Sequence, residues 1–262
     1  MELPVAGERC YAYTGGRAFD PALPTVVFVH GAANDHSVWA LQSRHLAWHG
    51  RSVLAVDLPG HGRSTGAALP TVEALADWVA ALLDAAGVDA ATLVGHSLGA
   101  LVALRAAAWH PARVTRIALL GPAMPMTVSD SLLELTQADD PRALALITGW
   151  SYSAAAQLGG SPVPGMWMTG TARRLMERMS PGVLHTDLLA CHRCADGLVA
   201  AARVRCPALL ILGSRDIMAP PRNAQALIAA LSQQQTVTLA GCGHALMAEA
   251  PDAVREALAR FC

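Results

Sequence analysis

The chain has 262 residues, 53% of them hydrophobic and 15% charged, which is enough for a large core in a single domain with room for an insertion and excludes a disordered chain. Its 19 basic residues are all arginine, its formal net charge is -1 and its acids are scattered, which argues against a nucleic-acid or anionic-membrane surface; the missing lysines exclude Schiff-base chemistry and a Walker-type phosphate loop. Met1 to Glu8 has neither the basic start nor the apolar core of a secretory signal, and no apolar run approaches the ~18 residues that span a bilayer, so the sequence reads as cytoplasmic.

In chain order, Arg9 to Thr14 alternates and ends in Gly15-Gly16, a strand and turn, and Thr25 to His30 is a continuous apolar run of the kind covered on both faces. Gly31-Ala32-Ala33-Asn34-Asp35 follows as a small, polar loop. Ser37 to Trp48 has helical periodicity, and Ser52 to Asp57 is the next strand, closed by Leu58-Pro59-Gly60-His61-Gly62-Arg63-Ser64. Thr71 is placed to cap a helix running to Ala86, with Glu73 near its positive end.

The run Ala91 to Val94 then meets Gly95-His96-Ser97-Leu98-Gly99 and continues as Ala100 to Leu104, which reads as strand, tight turn and helix with a serine at the apex. The flanking glycines have no Cβ to collide where strand and helix pack closely, so a strained Ser97 can project its hydroxyl clear of the backbone. Val114 to Leu120 is another strand, closed by Gly121-Pro122.

From residue 123 to 204 the rhythm changes to short helical pieces at Ser131 to Thr136, Pro141 to Thr148, Thr171 to Met179 and Leu184 to Cys194, with a loop at 159–165 and no evident strand. Cys191 and Cys194 have Cys-x-x-Cys spacing, but nothing completes a four-ligand zinc set, and six cysteines in a chain this long fit reduced thiols; they read as part of a helix. Alternation resumes with the strand Pro207 to Leu212, the helix Pro221 to Leu231, the strand Thr236 to Leu239 and the helix Pro251 to Phe261. The expected architecture is α/β: a mostly parallel, doubly covered sheet of about eight strands formed by 1–122 and 205–262, with 123–204 inserted as a helical cap.

In open parallel sheets, functional residues gather where strands end. Past these strands lie His30-Gly31-Ala32, Ser97, Gly213-Ser214-Arg215-Asp216 and Gly241-Cys242-Gly243-His244, giving a serine, an acid and a histidine in that chain order, with a small-residue loop able to present a backbone N–H. Serine is a weak nucleophile at its own pKa and needs a neutral imidazole to take its proton, while a carboxylate fixes the imidazole tautomer.

With His30-Gly31, Asp57 to Ser64, Gly95 to Gly99, Gly213 to Asp216 and Gly243-His244, the chain resembles the α/β-hydrolase superfamily from about residue 24 onward, in the branch of esterase-like and haloperoxidase-like serine hydrolases with a helical cap. That resemblance implies Ser97 as nucleophile, His244 as base, Asp216 as acid, and the N–H groups of Ala32 and Leu98 as the oxyanion hole. Many relatives place the acid after an earlier strand, but that position here reads Gly121-Pro122-Ala123-Met124, with no carboxylate. His30, His61 and His96 are expected to hold loops, Asp57 to anchor the turn at Pro59-Gly60, and Cys242 to pack.

Six of the nine methionines fall in the cap, with Trp150 and Trp167. Such adaptable side chains over a nucleophile suit an apolar acyl or alcohol group; Met124, Trp150, Trp167 and Met168 are the expected contacts, and the competing reading is that they only glue cap to sheet. Arg173, Arg174 and Arg178 could meet a substrate carboxylate or form a solvated helix face. The expectation is a carboxylesterase acting on a small ester, with no cofactor, metal, nucleic-acid or membrane partner, as monomer or homodimer. A lactonase, thioesterase or carbon-carbon bond hydrolase is the alternative within the enzyme class, and a ligand receptor retaining its triad is the alternative outside it.

Overall fold

In the computed structural model, which describes residues 1–160 and 165–262, the apolar runs become the middle of one eight-stranded sheet. Its strands are β1 (Glu2–Val5), β2 (Glu8–Tyr13), β3 (Thr25–Val29), β4 (Ser52–Val56), β5 (Ala91–His96), β6 (Val114–Leu120), β7 (Ala208–Gly213) and β8 (Gln234–Leu239), in the order β1-β2-β4-β3-β5-β6-β7-β8. β1 pairs with β2 and β2 with β4 antiparallel; the other pairings are parallel.

Side chains of successive strand residues point to opposite faces, and the two faces are packed by different helices. Val27 and Val29 of β3, Leu93 of β5, Ile117 and Leu119 of β6 and Leu210 of β7 join one core cluster. There they meet α2 (Val72–Ala85) and α3 (Leu98–Trp109). Val26, Phe28, Val94, Ala118, Leu120, Leu209 and Ile211 join the other, against α1 (Ala40–Ala47), which follows a 3₁₀ turn at His36–Trp39. This period of two explains why β3 and β4 are buried at every position. As expected, Thr71 caps α2, its side chain accepting from the N–H of Ala74 at 3.1 Å.

β1 was not among the expected strands. Pro4 breaks its β signature, and a proline is tolerated because β1 is an edge.

Between β6 and β7 the chain forms α4 (Asp130–Gln137), α5 (Pro141–Ser151), α6 (Ala154–Gln157), α7 (Met168–Met176), α8 (Val183–Arg193) and α9 (Gly197–Arg203). Leu132, Ala143, Ile147, Met176 and Leu188 from these helices form a cluster of their own with Ala33. Ala200 and Ala201 of α9, with Ala190 and Cys191 of α8, pack instead into the main core with α3. Cys191 lies on α8 and Cys194 just past it, both buried as free thiols; burial pushes the Cys191 thiol well up and Cys194 up to about 11. The expected loop at 159–165 lies partly outside the described residues.

After β7 come a 3₁₀ turn at Pro221–Ala224, α10 (Gln225–Ala230), and, past β8, α11 (Leu246–Glu249) and α12 (Pro251–Phe261). α12 covers the same face as α1 through Val254, Leu258 and Phe261. The helices α6, α9 and α11 were not expected: α6 and α11, at 4 residues each, are too short to show a period of 3.6, and α9 opens on Gly197 with no side chain capping it. Among the described residues no helix is long and apolar enough to cross a membrane.

Candidate active site

β5 passes into α3 through a single residue, Ser97, whose φ of 54° and ψ of -114° lie where an L residue is strained by roughly 1–3 kcal/mol. Close backbone approach holds the turn: a Cβ on Gly95 would collide with the Gly99 carbonyl, and one on Gly99 with the carbonyl of Val29. The Ser97 N–H is tied to the Leu120 carbonyl at 2.9 Å. Leu98 is the first residue of α3, so its N–H is one of the four that a helix leaves without an internal acceptor.

His244 stands on the loop after β8. Its Nδ1 lies 2.7 Å from Asp216 Oδ2. The other oxygen of Asp216, Oδ1, accepts from the N–H groups of Met218 at 2.9 Å and Ala219 at 2.8 Å. Burial works against ionisation of this carboxyl, but His244 and the loop amides outweigh it and hold its pKa below the ordinary value. An ionised carboxylate only accepts, so Nδ1 carries the proton and Nε2 is left basic.

The His244 loop is itself pinned. The N–H groups of His244 and Ala245 donate to the Ser151 carbonyl at the end of α5, at 2.8 and 2.9 Å, and Gly243 donates to Glu249 Oε1 at 3.0 Å. His96 Nε2 donates to the His244 carbonyl at 2.9 Å, and burial pushes the His96 imidazole down to about 3, so it stays neutral. Gly121, in the left-handed region at φ 58°, leaves room for the imidazole: a Cβ there would sit 2.9 Å from His244 Cε1.

The loop after β3 has an equally dense set of partners. His30 receives the Leu58 N–H on Nε2 at 3.1 Å and donates from Nδ1 to the Gly31 carbonyl at 2.8 Å; burial, with His61 alongside, lowers its pKa to about 4. Asp57 anchors the next loop, accepting from the N–H of Arg63 at 2.9 Å and from that of His36 at 2.7 Å.

These loops open into a cavity of about 600 Å³ whose walls include Ala32, Ser97 and His244 from the strand ends and Leu132, Ile147, Trp150, Met168 and Leu188 from the inserted helices. Asp216 stands behind His244, and Leu98 lies fully buried at the start of α3. Of the four expected substrate contacts, Trp150 and Met168 line the cavity, but Met124 and Trp167 do not. Met124 is tied by its N–H to the Asn223 carbonyl at 3.0 Å, which turns its side chain into the main core against Gly197. Trp167, at the N-terminus of α7, lies flat over Gly170 with 74% of its surface exposed. Arg173 and Arg174 pair with Glu177 on the exposed face of α7, as a solvated face would.

Several residues at the site were missed from the sequence. Met218 and Met247 line the cavity from outside the insertion. Asp187 and Glu249 bind site loops from positions no motif marks.

A family model described as "Alpha/beta hydrolase family" matches residues 26–257. The AB hydrolase superfamily protein YisY of Bacillus subtilis is 26% identical over 254 residues, covering 90% of each chain. A pimeloyl-[acyl-carrier protein] methyl ester esterase of Neisseria meningitidis is 31% identical over 256 residues, covering 87% of this chain and 90% of that protein. Among solved structures, the enol-lactonase from Burkholderia xenovorans LB400 superposes with a TM-score of 0.87 at 25% identity, over 100% of this chain and 99% of that one.

Proposed function

The chain belongs to the alpha/beta hydrolase family, and on that premise we propose that it hydrolyses carboxylic esters through an acyl-enzyme on Ser97. The observation that carries the reading is the 2.7 Å contact of His244 Nδ1 with Asp216 Oδ2, made beside the cavity that Ser97 enters from a strained turn. In this reading Ser97 Oγ attacks the ester carbonyl carbon while its proton passes to His244 Nε2. Asp216 stabilises the imidazolium, and the N–H groups of Ala32 and Leu98 hold the oxyanion. Collapse of the tetrahedral intermediate expels the alcohol, which takes the proton from His244. Water, activated by His244, then releases the acid and restores Ser97.

The cavity is walled largely by aliphatic and methionine side chains, which favours an apolar acyl or alcohol group on a small ester. In this assignment residues 123–204 act as the cap over the site. Six free cysteines agree with work in a reducing compartment such as the cytoplasm. Size-exclusion chromatography distinguishes monomer from homodimer.

The test is turnover of p-nitrophenyl esters by wild type and by Ser97→Ala, which deletes one hydroxyl but removes the acyl-enzyme route; the expected loss is on the order of 10⁴-fold or more. A variant retaining a tenth of the activity would overturn the assignment. One turnover per chain, then arrest, would favour a receptor over an enzyme. A second reading, a lactonase, is favoured by the full-length likeness to the enol-lactonase, since a lactone is an internal ester opened by the same steps. Running a lactone series beside the linear esters separates the two by kcat/KM.

A further inference from the structure

The geometry points to Asp187, on the inserted helix α8, as the positioning residue of the oxyanion loop. The inference rests on the acyl-transfer reading above, in which the Ala32 N–H is an oxyanion donor.

That N–H shares a peptide plane with the Gly31 carbonyl, so whatever holds the carbonyl aims the donor. The Gly31 carbonyl is held by His30 Nδ1 at 2.8 Å and the Asn34 N–H at 3.3 Å. The next peptide, Ala32 to Ala33, is held from the other side: the Ala33 N–H donates to Asp187 Oδ2 at 2.8 Å. Ala33 needs such a hold, because it is fully buried at φ 49°, a strained conformation that an alanine keeps only when its surroundings impose it.

The same Asp187 oxygen lies 2.8 Å from His61 Nε2, and His61 Nδ1 is 3.0 Å from the Pro59 carbonyl. Both ring nitrogens thus face acceptors, so His61 carries both protons and forms an ion pair with Asp187, both side chains almost wholly buried. The His61 ring packs 4.9 Å from the His30 ring, centroid to centroid, which closes the circuit back to Gly31. One carboxylate from the insertion therefore serves both sides of the loop. Leu184, Leu188 and Cys191 of the same helix line the substrate cavity, so an acyl group filling it bears on the element that carries the tether.

The test is kcat and KM for p-nitrophenyl acetate, per active site counted from the p-nitrophenolate burst, for three variants. Asp187→Ala removes the acceptor and is expected to lower kcat about 30- to 100-fold with KM within about threefold, the scale set by a misaligned oxyanion donor. Asp187→Asn keeps one amide oxygen where Oδ2 stands, able to accept from both the Ala33 N–H and the His61 Nε2–H, so its kcat is expected within about fivefold of wild type. His61→Leu/Asp187→Leu removes the buried pair together, a replacement that folds tolerate far better than a lone buried charge, and should lose kcat as Asp187→Ala does. If Asp187→Ala does not fold, the double variant gives the same readout. A folded variant without the carboxylate that keeps kcat within threefold overturns the inference, as does an Asn variant that falls as far as the Ala variant. If Ser97→Ala also keeps turnover, the acyl-transfer reading fails; if Ser97→Ala is inactive, only the role of Asp187 does.

Discussion

Asp216 fixes what His244 can do, because one of its oxygens accepts a hydrogen bond from Nδ1–H while the other is saturated by two loop amides. Asp216→Asn should therefore present an amide N–H or the wrong tautomer to the ring and lower kcat by about 10⁴-fold. The same contacts predict a stability effect with a definite sign. The folded-state pKa of this carboxyl is depressed, so its ionised form contributes stability that is present above the unfolded value of roughly 3.9 and is lost as pH falls through the lower folded value. The urea midpoint of wild type should exceed that of Asp216→Asn near neutrality, and the gap should narrow below about pH 4. A gap constant from pH 7 to pH 3 would mean the carboxylate is not the group at work. At this scale the sequence was readable for placement: Ser97, Asp216 and His244 stand just past strand ends as expected, and His244 meets Asp216 there. Asp187 and Glu249 were not readable: each acts by accepting from backbone N–H groups that only the folded chain brings near, and an acid within a helix looks like any solvated acid.

The helices of the insertion divide their work by face. α7 turns Met168 into the cavity while its neighbour Trp167 lies on the surface, and α5 supplies Trp150 to the cavity and its last carbonyl to the His244 loop. Each methylene buried in an apolar pocket is worth about 0.8 kcal/mol, close to fourfold in kcat/KM, so specificity should rise with acyl length until the cavity is full. Across p-nitrophenyl acetate to decanoate, Trp150→Ala and Met168→Ala should shift the optimum and change the acetate rate far less than the rates of longer esters. Trp167→Ala should leave the profile where it was. Equal loss at every length would make Trp150 and Met168 packing residues only. The longer helices and the apolar strands were legible in the sequence, including α12 to its first and last residue. α6 and α11, at 4 residues each, were not, nor was α9, which opens on an uncapped glycine, and neither was the direction in which Met124 or Trp167 points, which backbone ties and local packing decide.

For the whole molecule, the sheet places the loops after β3, β5, β7 and β8 around one cavity, and the helices between β6 and β7 line it too, holding the loop of Ala33 through α8 and that of His244 through α5. The middle of the sheet was foreseeable because strands buried on both faces must be continuously apolar; β2 and β8, towards the edges, are half exposed, and the edge strand β1, with Pro4 in it, was not foreseen. How the insertion grips the core was not foreseeable, since it runs through hydrogen bonds between residues as far apart in sequence as Ala33 and Asp187. The central claim is that this assembly makes Ser97 a nucleophile, and intact-mass and peptide mass spectrometry after reaction with a p-nitrophenyl alkylphosphonate tests it most directly. The account predicts one equivalent of p-nitrophenolate released per chain, loss of ester turnover in proportion, and the added mass on the peptide carrying Ser97, with no labelling of Ser97→Ala. Full ester turnover by a chain left unlabelled at Ser97, or the mass found on another residue, would contradict it.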